Sequence, residues 1–148
     1  MTDLNQQLEL ALRLLVAAIL GAAIGLEREF HGHPAGMRTH LLVALGAASF
    51  TVLSIEAFKG PGADPARIAA QIVTGIGFLG AGAILKDGAS IRGLTTAASL
   101  WAVAAVGMAA GAAAWGVAIV TTLIVIFSLW PLHEIERRFL GKRPPSSE

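Results

Sequence analysis

The residues able to do chemistry sit in a few short blocks of this 148-residue chain. Glu27-Arg28-Glu29 is followed by His31 and His33, then by Arg38-Thr39-His40; much later come Lys86-Asp87, Arg92 and Thr95-Thr96. The alternation Glu27, Glu29, His31, His33 resembles a divalent-metal set. Alternation gathers ligands on one face only in a strand, however, and a helix end running into a solvated loop is expected here. Imidazole also suits zinc, copper or nickel, whereas magnesium prefers oxygen and keeps several waters. A magnesium contact, if the chain makes one, is therefore expected to use Glu27 and Asp87. With no cysteine, and four histidines lacking a serine or aspartate pattern around them, no nucleophile is paired with a base. No enzyme activity is expected, and no cofactor beyond that magnesium contact.

Gly75-Ile-Gly77-Phe-Leu-Gly80 matches the dinucleotide fingerprint G-x-G-x-x-G letter for letter. That fingerprint needs a strand before it and a helix after it, and here it lies inside an apolar run. The physical reading is close helix approach, since small residues let membrane helices touch backbone to backbone. Gly75, Gly77, Gly80 and Gly82 strip side chains from nearly every face of their helix. Gly21 with Gly25, and Gly107 with Gly111, are small-xxx-small pairs of the same kind. A kink or an ion path is the second reading, because irregular backbone at membrane depth lines cavities.

The elements that must position these residues follow from composition. The chain is 55% hydrophobic and only 14% charged, with a net charge of +1 and a mean hydropathy of +0.68. From Gly93 to Leu132 there is no Asp, Glu, Lys, Arg or His. As a helix that run would reach ~60 Å, about twice a bilayer's hydrocarbon core. It must cross twice, which rules out a soluble monomer. The composition gives no hint of a nucleic-acid partner, and Met1-Thr-Asp-Leu lacks the basic start of a signal peptide. Five spans are expected at about 8–26, 39–58, 66–85, 94–110 and 114–132, followed by a short tail over 133–148. Asp64 and Pro65 suit the cap and first turn of the third. The fold class is all-α, a tightly packed bundle of five transmembrane helices in one domain, because only helices and closed barrels satisfy the backbone in lipid and barrel alternation is missing.

Counting Lys and Arg by side orients the bundle. Arg28, Arg38, Lys86, Arg92, Arg137, Arg138, Lys142 and Arg143 make eight on one side; Arg13, Lys59 and Arg67 make three on the other. The eight belong in the cytoplasm, so the amino terminus is expected outside and the carboxyl terminus inside. Four helix ends then bring Glu27, Arg28, Arg38, His40, Asp87, Arg92, Thr95 and Thr96 to the cytoplasmic surface. Ionisable groups at membrane depth are costly and mark candidate sites. The pairs expected are Glu27 with Arg38 or Arg92, and Asp87 with Arg28 or Arg92. The competing reading is ordinary snorkelling at helix ends. Gln71 and Thr74, inside the third span, are expected to act as interhelical glue.

Four blocks then carry a resemblance: Gly25-Leu-Glu27-Arg28-Glu29, Pro34-Ala-Gly-Met-Arg38-Thr39-His40, Gly75-Ile-Gly-Phe-Leu-Gly80-Ala-Gly82 and Gly93-Leu-Thr95-Thr96-Ala-Ala-Ser99-Leu-Trp101. In this order and spacing they resemble the hydrophobic domain of the MgtC/SapB family of bacterial inner-membrane proteins, over about 8–111. The resemblance implies a role in magnesium homeostasis and growth at low magnesium, and in pathogens survival inside host cells. It implies a regulator or helper with the bilayer and other membrane proteins as partners. The soluble ACT-like domain of some members is expected to be missing. The rival readings are a cation channel or transporter, which five short spans would form only as a homo-oligomer, and a scaffold without a ligand.

Overall fold

The computed structural model describes residues 3–88 and 90–130. They form five helices: α1 (Leu4–Phe30), α2 (Met37–Glu56), α3 (Pro65–Ala83), α4 (Leu94–Gly111) and α5 (Trp115–Leu129). The first four are each long and apolar enough to cross a bilayer; α5 spans 15 residues. The all-α class fits. The expected fifth span over 114–132 is described only to 130, and the expected tail lies outside the described residues.

Packing is unevenly shared, and glycine decides where. The buried stripe of α1 is Ala17, Gly21, Ile24, Gly25 and Arg28, at the three- and four-residue spacing of one helical face. It lies on α2. A Cβ on Gly21 would meet the Ala44 methyl at 2.6 Å and the His40 carbonyl oxygen at 2.7 Å, and one on Gly25 would meet the Met37 Cα at 2.6 Å. On its other side α2 meets α4, where a Cβ on Gly107 would overlap the Ala44 backbone and one on Gly111 would meet the Ala48 carbonyl at 2.7 Å. Two glycines from each neighbour thus grip α2. The core between them is made of small side chains: Ala17, Ala44, Ala48 and Ala110, with Ile24, Val103 and Val106.

The α3 glycines do otherwise. Only Ile76 and Gly80 of that helix are buried, and a Cβ on Gly75, Gly77 or Gly82 would meet nothing within 4 Å. Gly80 has ordinary contact with Ala97 at 3.8 Å. Within one chain, the backbone contact expected of this block falls on α1 and α4 instead, because α3 touches the bundle along a single edge. Its start is as read from the sequence: Pro65 opens the helix and the Asp64 carboxylate accepts from Ala66 N at 2.9 Å. Its end differs. The helix stops at Ala83, and an antiparallel hairpin follows, β1 (Leu85–Asp87) with β2 (Ser90–Arg92), pairing Leu85 with Arg92 and Asp87 with Ser90. Gly88 follows the last paired residue of β1 and takes the positive φ that the first position of a tight hairpin turn needs. Gly93 also has positive φ, and a Cβ there would overlap the Ala83 carbonyl, so the chain can turn into α4 only on glycine.

Candidate functional site

The end of the bundle that holds the hairpin also holds an interior line of polar groups. Arg28, 2% exposed, lies on the last turns of α1. Its Nη2 donates to Thr96 Oγ1 at 3.4 Å, in the first turn of α4. One turn further, Ser99 Oγ lies 2.8 Å from the Thr96 carbonyl oxygen and 3.0 Å from His40 Nε2. His40, fully buried on α2, places Nδ1 3.0 Å from the Gly36 carbonyl oxygen. A carbonyl only accepts, so Nδ1 carries the hydrogen; in the neutral ring Nε2 then accepts. The single Ser99 hydroxyl hydrogen has two acceptors to choose from, Thr96 O and His40 Nε2. The Ser99 hydroxyl thereby joins α4 to α2, and Thr96 Oγ1 joins it to α1, inside an apolar interior.

Acidic residues stand beside this line. Glu27 pairs with His31, Oε1 to Nδ1 at 3.0 Å, and its side chain is only 9% exposed. Its other oxygen is covered and has no hydrogen-bond partner among the described residues. The exposed Glu29 reaches across the connection and accepts from Met37 N at 2.9 Å, at the start of α2. A carboxylate at a helix N-terminus satisfies a backbone donor and complements the dipole. The His31 ring faces Trp130, with centroids 6.5 Å apart, which brings the end of α5 to the same place.

The sequence-predicted residues divide accordingly. Arg28, His40 and Thr96 come together in the interior, with Thr95 half-buried beside Thr96 and Glu27 at their edge. Arg38 is exposed, as are Asp87 and Arg92 on the hairpin. Among the described residues the ion pairs are Glu9–Arg13 and Glu56–Lys59, while Glu27 contacts His31, whose ring is charged only when protonated. Glu27 therefore pairs with the histidine one turn along its own helix rather than with Arg38 or Arg92, and Asp87 is in no ion pair. The short i,i+4 reach explains the first difference; the solvent-facing hairpin, in place of a helix end, explains the second. Among the described residues no three of His, Cys, Asp and Glu gather in a metal-holding group.

One participant carries no charge signal and went unread as a site residue in the sequence. Ser99 is the link between His40 and Thr96; its i,i+3 spacing from Thr96 was the available clue. At the opposite end, Arg13 donates to the Gly111 carbonyl oxygen at 3.2 Å, filling the last turn of α4, while also pairing with Glu9. Nearby Glu56 accepts from Gln6 Nε2 at 3.2 Å and from Lys59 Nζ at 2.7 Å.

A helical bundle of this kind, polar inside at one end and apolar on its outer faces, defines a polytopic membrane protein. The chain belongs to the MgtC family, which it matches over residues 14–138. It is 45% identical over 137 residues to Protein MgtC of Salmonella typhimurium (strain LT2), covering 93% of this chain and 58% of that protein. It is 42% identical over 140 residues to "Putative magnesium transporter YhiD" of Escherichia coli (strain K12), covering 90% of this chain and 65% of that one. The chain thus spans about three fifths of the length of these relatives. No solved structure matches it.

Proposed function

We propose that this chain is a multi-pass protein of the bacterial inner membrane that serves adaptation to low magnesium as a non-enzymatic regulator, acting through membrane partners. One observation carries the choice of regulator over carrier: the polar groups at the site engage one another. Arg28 bonds the Thr96 side chain, and His40 bonds Ser99, whose hydroxyl also reaches the Thr96 carbonyl oxygen. A groove between α2 and α3 is lined by apolar residues, with Gln71 the one polar side chain in it. A carrier for a strongly hydrated cation needs oxygen ligands facing a path. A line of buried hydrogen bonds that ties three helices together is instead suited to hold one arrangement of the bundle against another. The link to magnesium is supported by family membership and by the name YhiD bears. The eight-to-three bias of Lys and Arg supports a cytoplasmic position for the site and the start of α1 outside. In this reading Mg2+ meets the protein, if at all, at the Glu27 edge and the Asp87 hairpin tip.

The test is complementation of a low-magnesium growth defect, with protein quantified in the membrane fraction. The Glu27→Gln, Asp87→Asn double variant is expected to accumulate normally and fail to restore growth. Full complementation by that variant defeats the assignment of the site. Protein-dependent magnesium flux in proteoliposomes defeats the regulator reading and favours a channel or carrier.

A further inference from the structure

The outer face of α3 carries one group that apolar surroundings do not satisfy, the amide of Gln71. Gln71 lies six residues after Pro65, about 9 Å along the helix axis from its start and inside the expected span. It is exposed, and its amide makes no hydrogen bond among the described residues. Against hydrocarbon such a group has no water to turn to, and membrane helices answer this by hydrogen bonding across an interface. Thr74, the next polar residue on α3, has already satisfied itself on the Ala70 carbonyl at 3.0 Å. Gln71 has not.

The residues around it form a seam. Gln71, Gly75, Phe78 and Gly82 follow one another at spacings of four, three and four, the repeat that keeps one stripe of a helix against a partner helix. This stripe lies away from the packed residues Ile76 and Gly80. Gly75 and Gly82 have open space where a Cβ would stand, and Phe78 is 83% exposed. The stripe borders a groove of about 480 Å3 between α2 and α3, into which Gln71 and Gly75 both face. A single polar residue in an apolar seam is also the usual device for fixing register.

We propose that two copies associate through α3, with Gln71 of one against Gln71 of the other. Copies inserted by the same charge rule share one orientation, so their twofold axis runs along the membrane normal. Each residue near that axis then meets itself at equal depth. A carboxylate or an ammonium would repel its twin there, whereas an amide both donates and accepts and is its own complement. This argument depends on the membrane insertion of α3 and not on the magnesium reading.

The chain has no cysteine, which makes the test direct in native-composition bilayers. Gln71→Cys is expected to cross-link to a dimer under mild oxidation, and Leu123→Cys, 62% exposed on α5, is expected not to. Equal cross-linking at both positions, or none at position 71, overturns the proposal. In a dilution series of donor- and acceptor-labelled full chain in liposomes, Gln71→Leu is expected to weaken association about three- to tenfold, the effect of one interhelical hydrogen bond in a membrane. Gln71→Asn should keep most of the association. Because Gln71 is exposed in the single chain, both variants should unfold at the parent temperature when diluted to the monomer. Energy transfer that only follows random proximity, as it would were the face covered by lipid or by a different protein, overturns the proposal, as does unchanged association in Gln71→Leu.

Discussion

Replacing Gly21 by alanine tests whether backbone contact holds the bundle. The new methyl would stand 2.6 Å from the Ala44 Cβ and 2.7 Å from the His40 carbonyl oxygen, where ordinary contact starts at 3.4 Å. One helix must therefore retreat by roughly 0.8 Å, and the carbonyl belongs to a helix gripped from its far side by Gly107 and Gly111, with little room to give. Overpacking of this kind costs roughly 1–3 kcal/mol, while alanine in place of glycine returns about 0.5–1 kcal/mol of helix propensity. A net loss of about 1–2 kcal/mol is expected for Gly21→Ala. Gly77 supplies the control, since a methyl there meets nothing within 4 Å; Gly77→Ala keeps only the propensity gain and should be neutral or slightly stabilising. Equilibrium unfolding in mixed micelles, followed by the same probe for both variants, reads the difference. Ala44→Gly, which removes one of the two close partners, should partly rescue Gly21→Ala. Parent-like stability of Gly21→Ala, or an equal loss in Gly77→Ala, refutes the reasoning.

Four further outcomes follow from the same contacts. In a double-mutant cycle on His40→Ala and Ser99→Ala, the coupling should be about 0.5–3 kcal/mol, because Ser99→Ala leaves the buried His40 Nε2 without its partner; additive losses would sink the polar line. Glu29→Ala should cost about 0.5–2 kcal/mol by uncapping α2, with Glu29→Gln recovering part of it in the same unfolding assay. Ala113, at φ +57 between α4 and α5, should gain about 1 kcal/mol as Ala113→Gly, since the left-handed region is strained for a residue with a Cβ; a loss there would be the contrary result. Cysteines at Ala63 and Ser90 should be labelled from opposite faces of intact cells, with Ser90→Cys protected from an impermeant reagent; external labelling of Ser90→Cys would reverse the orientation.

The positions of the long helices were legible because apolar length and the caps are local signals. Asp64-Pro65 fixed the start of α3 to within a residue. The hairpin was not read, although Gly88 is at its turn, because a charged turn after an apolar run reads equally well as a plain helix end. Glycine spacing told that helices touch closely but not which ones: Gly21 and Gly75 look alike in sequence, and only the third dimension separates a gripped helix from a bare one. At the site, the residue types were visible and the partners were not. Charge suggested ion pairs between helices, yet Glu27 pairs locally with His31 and Arg28 reaches a threonine. The uncharged link, Ser99, was written in the chain as one more small residue of an apolar run.

The central place of α4 has a consequence for how the protein is made. Its buried residues run from Thr96 to Gly111, and its hydrogen bonds to earlier helices reach back 59 positions to His40, 68 to Arg28 and 98 to Arg13. Neither arginine can be satisfied by α4 until that late segment has been synthesised. While the ribosome is still adding α3, the inserted chain holds an α1–α2 pair gripped through Gly21 and Gly25, and two guanidinium groups that lack those acceptors. The nascent protein therefore passes through a stage in which its membrane segments are present but its core is not. The bundle closes only on the arrival of its fourth helix.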